Sequence, residues 1–193
     1  MYADGLTLGI NQVEQPKTRE KVMQYKPRNI TELSSFVAAV RPAFKSMLPI
    51  FLERRHFDYG IPALDRLVQT REMTSSFIIF QEQIMKILQS AGFTAPDSYA
   101  AIKAISKKKA EKVLKLKEQF MEGFTKLTGD PVATEKVWTI INDATSYLFN
   151  ASHAVCVALD SLYGAYLKAH YPLEFYTALL SNYAQKGDKD RIS

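Results

Sequence analysis

Apolar residues recur at three- and four-residue spacing over most of this chain, and prolines mark where the pattern restarts. Eight prolines stand at 16, 27, 42, 49, 62, 96, 131 and 172, several where a first helical turn would begin and a missing N–H costs little. The pattern predicts a helix from Gln15–Pro16 to about Tyr25 and a second, capped by Asn29 or Thr31, to about Val40, where Pro42 blocks it. Pro62 opens another, with Leu64, Leu67 and Val68 on one face. Phe77 to Phe80 is a four-residue apolar run that fits a strand and a buried helix entry equally well. Gln81 to Ser90 then places Ile84, Ile87 and Leu88 at helical spacing, with Gly92 as a stop. Asp97 to Ile105 reads as a short helix, and Lys107 to Leu127 as a long one through Val113, Leu116, Phe120, Phe124 and Leu127. Asp130 and Pro131 restart the pattern as N-cap and first turn, followed by Val137, Ile140, Ile141, Ala144 and Leu148. A helix from Asn150 to about His170, broken by Tyr171–Pro172, and a last one from Leu173 to Ala184 complete the chain.

The expected class is therefore mainly α: an irregular multi-helix domain with at most a short strand pair. It covers residues 1–185, with sub-lobes 1–128 and 129–185 hinged at Gly129–Asp130, and ends in a polar, fraying tail at 186–193. At 193 residues, 47% hydrophobic and 23% charged, the chain has a globular composition and is too apolar for global disorder. It has no run of 18 apolar residues, which excludes a membrane-spanning helix, and Met1 to Asp4 lacks the basic start and apolar core of a signal peptide. Its single cysteine, Cys156, rules out a disulfide framework and fits a reducing cytoplasm.

Net charge is +5, but it is unevenly placed. Residues 101–117 carry seven lysines (103, 107, 108, 109, 112, 115 and 117) against one acid, Glu111, a local +6. Lys107, Lys108 and Lys109 sit at the expected helix start, where ammonium groups and free backbone N–H donors together suit a phosphate. Cations there oppose the helix dipole by about 0.3–1 kcal/mol each, which argues for a compensating anion; a solvated charged face is the competing reading. Gln81, Glu82 and Gln83 could contact backbone, bases or a sugar, and helix-start capping is the favoured reading of the residues alone. Asn150, Ser152 and His153 cluster at another helix start, as an anion or nucleotide site or as an N-cap with a partly buried histidine. His153 and Cys156 share a helix face, but two ligands do not make a zinc site. GLTLG at 5–9 lacks the Lys-Ser/Thr of a phosphate loop, and the only D-x-D, Asp188 to Asp190, lies in the polar tail. No catalytic residue is assigned.

Six strings occur in a telling order: GLTLGINQVE at 5–14, VRP at 40–42, FQEQIM at 80–85, SKKK at 106–109, FNASH at 149–153 and YLKAHYPLEF at 166–175. Over roughly Gly5 to Ser181 the chain resembles the fingers region of bacterial C-family replicative DNA polymerases, the alpha subunit of DNA polymerase III. The resemblance implies a helical fingers module that holds the incoming triphosphate and the templating base. Lys103, Lys107, Lys108 and Lys109 would take phosphate, Arg41, Asn150, Ser152 and His153 would shape the nucleotide pocket, and Gln81, Glu82 and Gln83 would lie at the template side. The catalytic carboxylates and their magnesium ions would lie in a palm outside this segment, so no cofactor is expected here and the isolated chain should not polymerise DNA. That describes a fragment or the product of a split gene. Implied partners are primer–template DNA, dNTP, a palm-containing polymerase portion and other replisome subunits, with no membrane.

The sequence also departs from the family pattern. An Arg-Arg pair expected four residues before the lysines is Ile102–Lys103, which removes a bidentate phosphate clamp worth about 1.5–3 kcal/mol. Lys103 keeps charge without the fork. Gly-Lys-Lys-Lys is Ser106 to Lys109, Arg-Pro-Gly-Pro is Arg41 to Phe44, Phe-Asn-Lys-Ser-His has Ala151 at its centre, and an aromatic is replaced by Val157. These departures imply a divergent polymerase of phage or prophage type. The alternative is a non-catalytic helical DNA-binding or replisome-interaction module that kept the scaffold.

Overall fold

A computed structural model describes residues 1–41, 44–146 and 148–187. Among the described residues ten helices follow one another: α1 (Pro16–Tyr25), α2 (Ile30–Ala39), α3 (Leu48–Leu52), α4 (Pro62–Val68), α5 (Gln81–Ser90), α6 (Ala95–Ser106), α7 (Ala110–Thr128), α8 (Pro131–Ala144), α9 (Ala151–His170) and α10 (Pro172–Lys186). Extended pairing among the described residues is one isolated parallel bridge between Phe80 and Phe149, so the mainly helical expectation holds. The chain divides into two compact units, residues 38–154 and residues 1–37 with 155–193. The Gly129–Asp130 joint falls inside the first of these, between α7 and α8. Pro42, expected to block α2, and residues 188–193 of the tail lie outside the described residues.

The 38–154 unit is built on the inward faces of α4 to α8. Ile84, Ile87 and Leu88 of α5, Phe120 and Phe124 of α7, and Val137 and Ile141 of α8 are all fully buried in one cluster. Stacked Phe120 and Phe124 lie beside Trp138, the only tryptophan, whose ring centroid is 5.4 Å from that of Phe120. Burying a side chain of this size contributes about 1.5–3 kcal/mol. α7 comes so close to the end of α5 that a β-carbon on Gly123 would stand 1.9 Å from the Ala91 carbonyl oxygen, so only glycine fits there. Asp65, almost buried, accepts hydrogen bonds from the Tyr59 N–H at 2.9 Å and the Ile61 N–H at 3.0 Å and so fixes the turn into α4. Asp130 caps α8 as expected, its carboxylate accepting from the Val132 N–H at 2.8 Å.

The other unit holds the N-terminal turns, α1, most of α2 and α9, and α10. Its core includes Ile10, Val13, Val22, Leu33 and Phe36. Tyr25 stacks on Phe36 with centroids 5.7 Å apart. Lys168 is buried, donates to the Leu8 carbonyl at 2.8 Å, and lies over the rings of Tyr176 and Phe175. Tyr2 shares a 3.0 Å hydrogen bond with Ser161, and burial raises its phenol above the usual tyrosine value against the smaller, opposing effect of that bond.

Candidate functional site

The lysine run does not begin a helix. α6 extends through Ser106 and α7 starts at Ala110, so Lys107, Lys108 and Lys109 form the turn between them. Lys108 adopts a left-handed conformation (φ 51°), and the Lys108 N–H donates to the Ile105 carbonyl at 2.9 Å while the Lys109 N–H donates to the Ala104 carbonyl at 3.2 Å. This is the paired closure of a Schellman motif, with lysine where glycine is usual. The three backbone N–H groups expected to be free for phosphate are consumed, since Lys107 also donates, to the Lys103 carbonyl at 3.1 Å. The dipole argument changes as well. Lys103 and Lys107 stand at the C-terminal end of α6, where positive charge is favourable, and only Lys109 and Lys112 face the unfavourable start of α7.

What the turn does create is a groove. Lys103 and Lys107 from one side and Lys109, Lys112 and Lys115 from the other line a cavity of about 480 Å³. Lys112 and Lys115, three residues apart, share one face of α7, and Lys109 stands at its N-cap. The floor is apolar, with Phe93, Ala100, Ala101, Ala104 and Leu116, and one acid, Asp97, is on the lining. Asp97 is engaged by Thr94 at 2.5 Å. None of the five lysines forms an ion pair with a described carboxylate; Lys117, on another face of α7, pairs with Glu135 of α8 at 2.6 Å. Lys108 turns away to a separate cavity of about 420 Å³ beside Asn142, Thr145 and Ser146. Two further residues of this groove, Lys112 and Lys115, carry their signal in the sequence, since they follow Lys109 at successive three-residue steps.

The remaining candidates gather elsewhere, around the Phe80–Phe149 bridge. The Gln81 N–H donates to the Phe149 carbonyl at 2.9 Å and the Phe149 N–H to the Ile79 carbonyl at 3.1 Å. Gln83 is engaged with backbone: its side-chain oxygen accepts from the N–H groups of Ile79 (2.8 Å) and Phe80 (2.9 Å), and its amide donates to the Phe77 carbonyl (2.9 Å). That is helix-start capping, the other of the two roles its position in the sequence suits. Glu82 reaches across to accept from the Asn150 side chain and the Ala151 N–H, each at 3.0 Å. Asn150 in turn caps α9 by accepting from the His153 N–H at 2.9 Å. The α9 N-terminus expected to receive an anion thus already holds one, the carboxylate of Glu82.

Arg41 lies with its guanidinium 3.8 Å from the Phe149 ring centroid, and His153 meets the same ring edge-on at 5.1 Å. Arg41, Ser152 and His153 are exposed. The structure therefore unites Arg41, Glu82, Asn150 and His153, and separately unites Lys103, Lys107 and Lys109; the lining of the lysine groove includes none of the first set. Ile102, at the expected arginine position, is 5% exposed and belongs to the core beneath α6. Cys156 is exposed and free, and among the described residues no three His, Cys, Asp or Glu side chains are grouped to hold a metal ion. No described helix is long and apolar enough to cross a membrane.

Residues 1–128 match the family model of the bacterial DNA polymerase III alpha subunit finger domain. The chain is 33% identical over 188 residues to DNA polymerase III subunit alpha of Mycoplasma genitalium, a match covering 96% of this chain and 22% of that protein. It is 34% identical over 196 residues to the Bacillus subtilis subunit, covering 100% of this chain and 17% of that protein. Against Campylobacter jejuni it is 34% identical over 192 residues, covering 96% and 16%. The chain spans about a fifth of the length of these relatives.

Proposed function

Because the chain belongs to the finger-domain family of bacterial DNA polymerase III alpha subunits, we propose that it is the fingers module of a DNA-directed DNA polymerase, contributing phosphate contacts to DNA and incoming nucleotide. The observation that supports this reading is the groove of five lysines with no carboxylate partner and an apolar floor. Charge of one sign concentrated in a cleft raises the local concentration of a polyanion and speeds its capture. Lys103, Lys107 and Lys109, joined by Lys112 and Lys115, supply the ammonium groups, while Arg41 and His153, displayed on Phe149, form a second polar surface. On this reading the magnesium-binding carboxylates of polymerisation lie in a palm, and the residues described above bind and position phosphate.

Two observations favour a second reading, a non-catalytic DNA-binding or replisome module on the same scaffold. Ile102 is absorbed in the core, and Glu82 fills the α9 N-terminus. A chimera separates the two readings. The matched segment of the Bacillus subtilis subunit is replaced with this chain and primer extension is measured. Extension supports the fingers reading. A folded chimera that binds primer–template with the steep salt dependence of backbone contacts, yet never extends, replaces it with the second.

A further inference from the structure

We propose that the outward faces of α9 and α10 dock this chain onto the polypeptide that carries the palm. This rests on the fingers reading and names the surface that joins the module to its partner. Among the described residues, nine of the sixteen large apolar side chains left exposed lie between Val155 and Leu180. α9 turns its small residues inward. Ala158, Ser161 and Ala165 are buried, while Val155, Leu162 and Tyr166, spaced seven and four residues apart on another face, are open. Eight of the fifteen residues of α10 are apolar, yet Tyr183 alone is buried and Leu173 stands 77% exposed. Helices apolar on this many sides are ones that further protein covers.

Charge and area narrow the occupant. From Ala151 to Gly187, Asp160 and Glu174 balance Lys168 and Lys186; Lys168 is buried, and Asp160 accepts from the Asn11 amide at 2.6 Å. These faces offer a phosphate backbone nothing, so the partner is protein. Four of the nine residues are tyrosines, a type enriched at protein interfaces, whose hydroxyl takes an acceptor from the partner once the ring is covered. Left about half open at about 150–200 Å² each, the nine add up to on the order of 800 Å², the area one side gives to a stable interface. The match to the Bacillus subtilis subunit runs through both helices and takes up 17% of that protein, so there the segment stands in a chain with ample further polypeptide to cover such faces. The partner surface that fits is neutral and aliphatic, with hydrogen-bond acceptors at its rim. A second copy of this chain is the competing occupant.

The test is hydroxyl-radical footprinting, read by mass spectrometry, of the full chain alone and of the same chain within the Bacillus subtilis chimera. Tyr163, Tyr166 and Leu173 should oxidise roughly fivefold more slowly in the chimera, while Leu114 and Val132, exposed on the 38–154 unit, should react alike in both. A second measurement needs no chimera: the full chain is bound in trans to the Bacillus subtilis subunit lacking its matched segment, shown to be folded by circular dichroism. Leu162→Glu combined with Tyr166→Glu should weaken that binding roughly tenfold or more and leave the denaturation midpoint of the chain alone unchanged, and Leu114→Glu should alter neither. Equal reactivity of the faces in chain and chimera, protection spread equally over Leu114 and Val132, or no binding in trans overturns the docking surface. Protection that grows with the concentration of the chain alone and is abolished by the same two substitutions gives the face to a second copy and overturns it likewise. A chimera that protects the faces yet never extends a primer overturns the fingers reading and leaves the docking surface standing; one that extends with the faces still reactive does the reverse.

Discussion

Gly123→Ala separates two effects of opposite sign. In an exposed helix interior, alanine in place of glycine stabilises by about 1 kcal/mol through backbone entropy. At this position the new β-carbon would start 1.9 Å from the Ala91 carbonyl oxygen, and real contacts of that kind do not fall below 3.0 Å. α7 and the end of α5 must therefore part by more than 1 Å. The obstacle is backbone, so no side-chain rotation relieves it. α7 carries Phe120 and Phe124, both fully buried, and a radial gap of about 0.5–1 Å forfeits a quarter to a half of each dispersion contact. Overpacking of this kind costs about 1–3 kcal/mol, and a rigid backbone neighbour puts this site at the upper end, so the net expectation is a loss of about 2 kcal/mol after the propensity gain. Trp138, whose ring lies against Phe120, reports the transition in guanidinium chloride. Gly164→Ala is the control: its nearest neighbour, an Ile10 methyl, is 3.9 Å from the new carbon, so the midpoint should rise. A Gly123→Ala midpoint at or above that of the parent would refute the close approach.

Three further outcomes follow from the packing and the ionisation described above. Ile102→Arg, which restores the family's expected arginine, should cost about 3–5 kcal/mol because it buries a cation where an apolar residue packs, and it should not raise dNTP affinity; a stable variant with tighter nucleotide binding would show that the side chain reaches the groove. Asp65→Ala should lower stability by about 2–3 kcal/mol in the same denaturation assay because two inward-facing N–H groups lose their acceptor, and Asp65→Asn should recover part of it. Tyr2 contributes its full stability below the unfolded tyrosine value near 10 and loses it as pH rises through the higher folded value, so the parent should weaken above about pH 10 more steeply than Tyr2→Phe.

Helices opened by a proline were legible in the sequence, and so was α5, whose apolar spacing alone predicts Gln81 to Ser90. Pro16, Pro62, Pro131 and Pro172 each stand at the start of a helix, and Asp130 is the cap it was read as. The spacing predicts the long helix three residues early because its predecessor is closed by Lys108 in a left-handed conformation, and a lysine in that role leaves no mark in the sequence. The same turn sends Lys108 away from its neighbours, so three consecutive lysines read as one site serve two surfaces. α3 spans only five residues, too few for periodicity to register. Helical phase could place Lys112 and Lys115 together, whereas nothing local could announce that Glu82 would spend its charge on residues 150 and 151.

That last tie has a consequence for the order in which the 38–154 unit assembles. The Glu82 carboxylate and the Ala151 N–H are 69 positions apart in the chain, and closing a loop of that size costs roughly 3.7 kcal/mol of entropy before any bond rewards it. The helices between them, built on short-range contacts, have every reason to dock first. The clasp at 79–82 and 149–151 then shuts last on synthesis or refolding and springs first on stress, so amide protons of Phe149 and Ala151 should exchange ahead of those in α5 and α7, and Arg41 and His153 ride on the part of the unit most ready to rearrange.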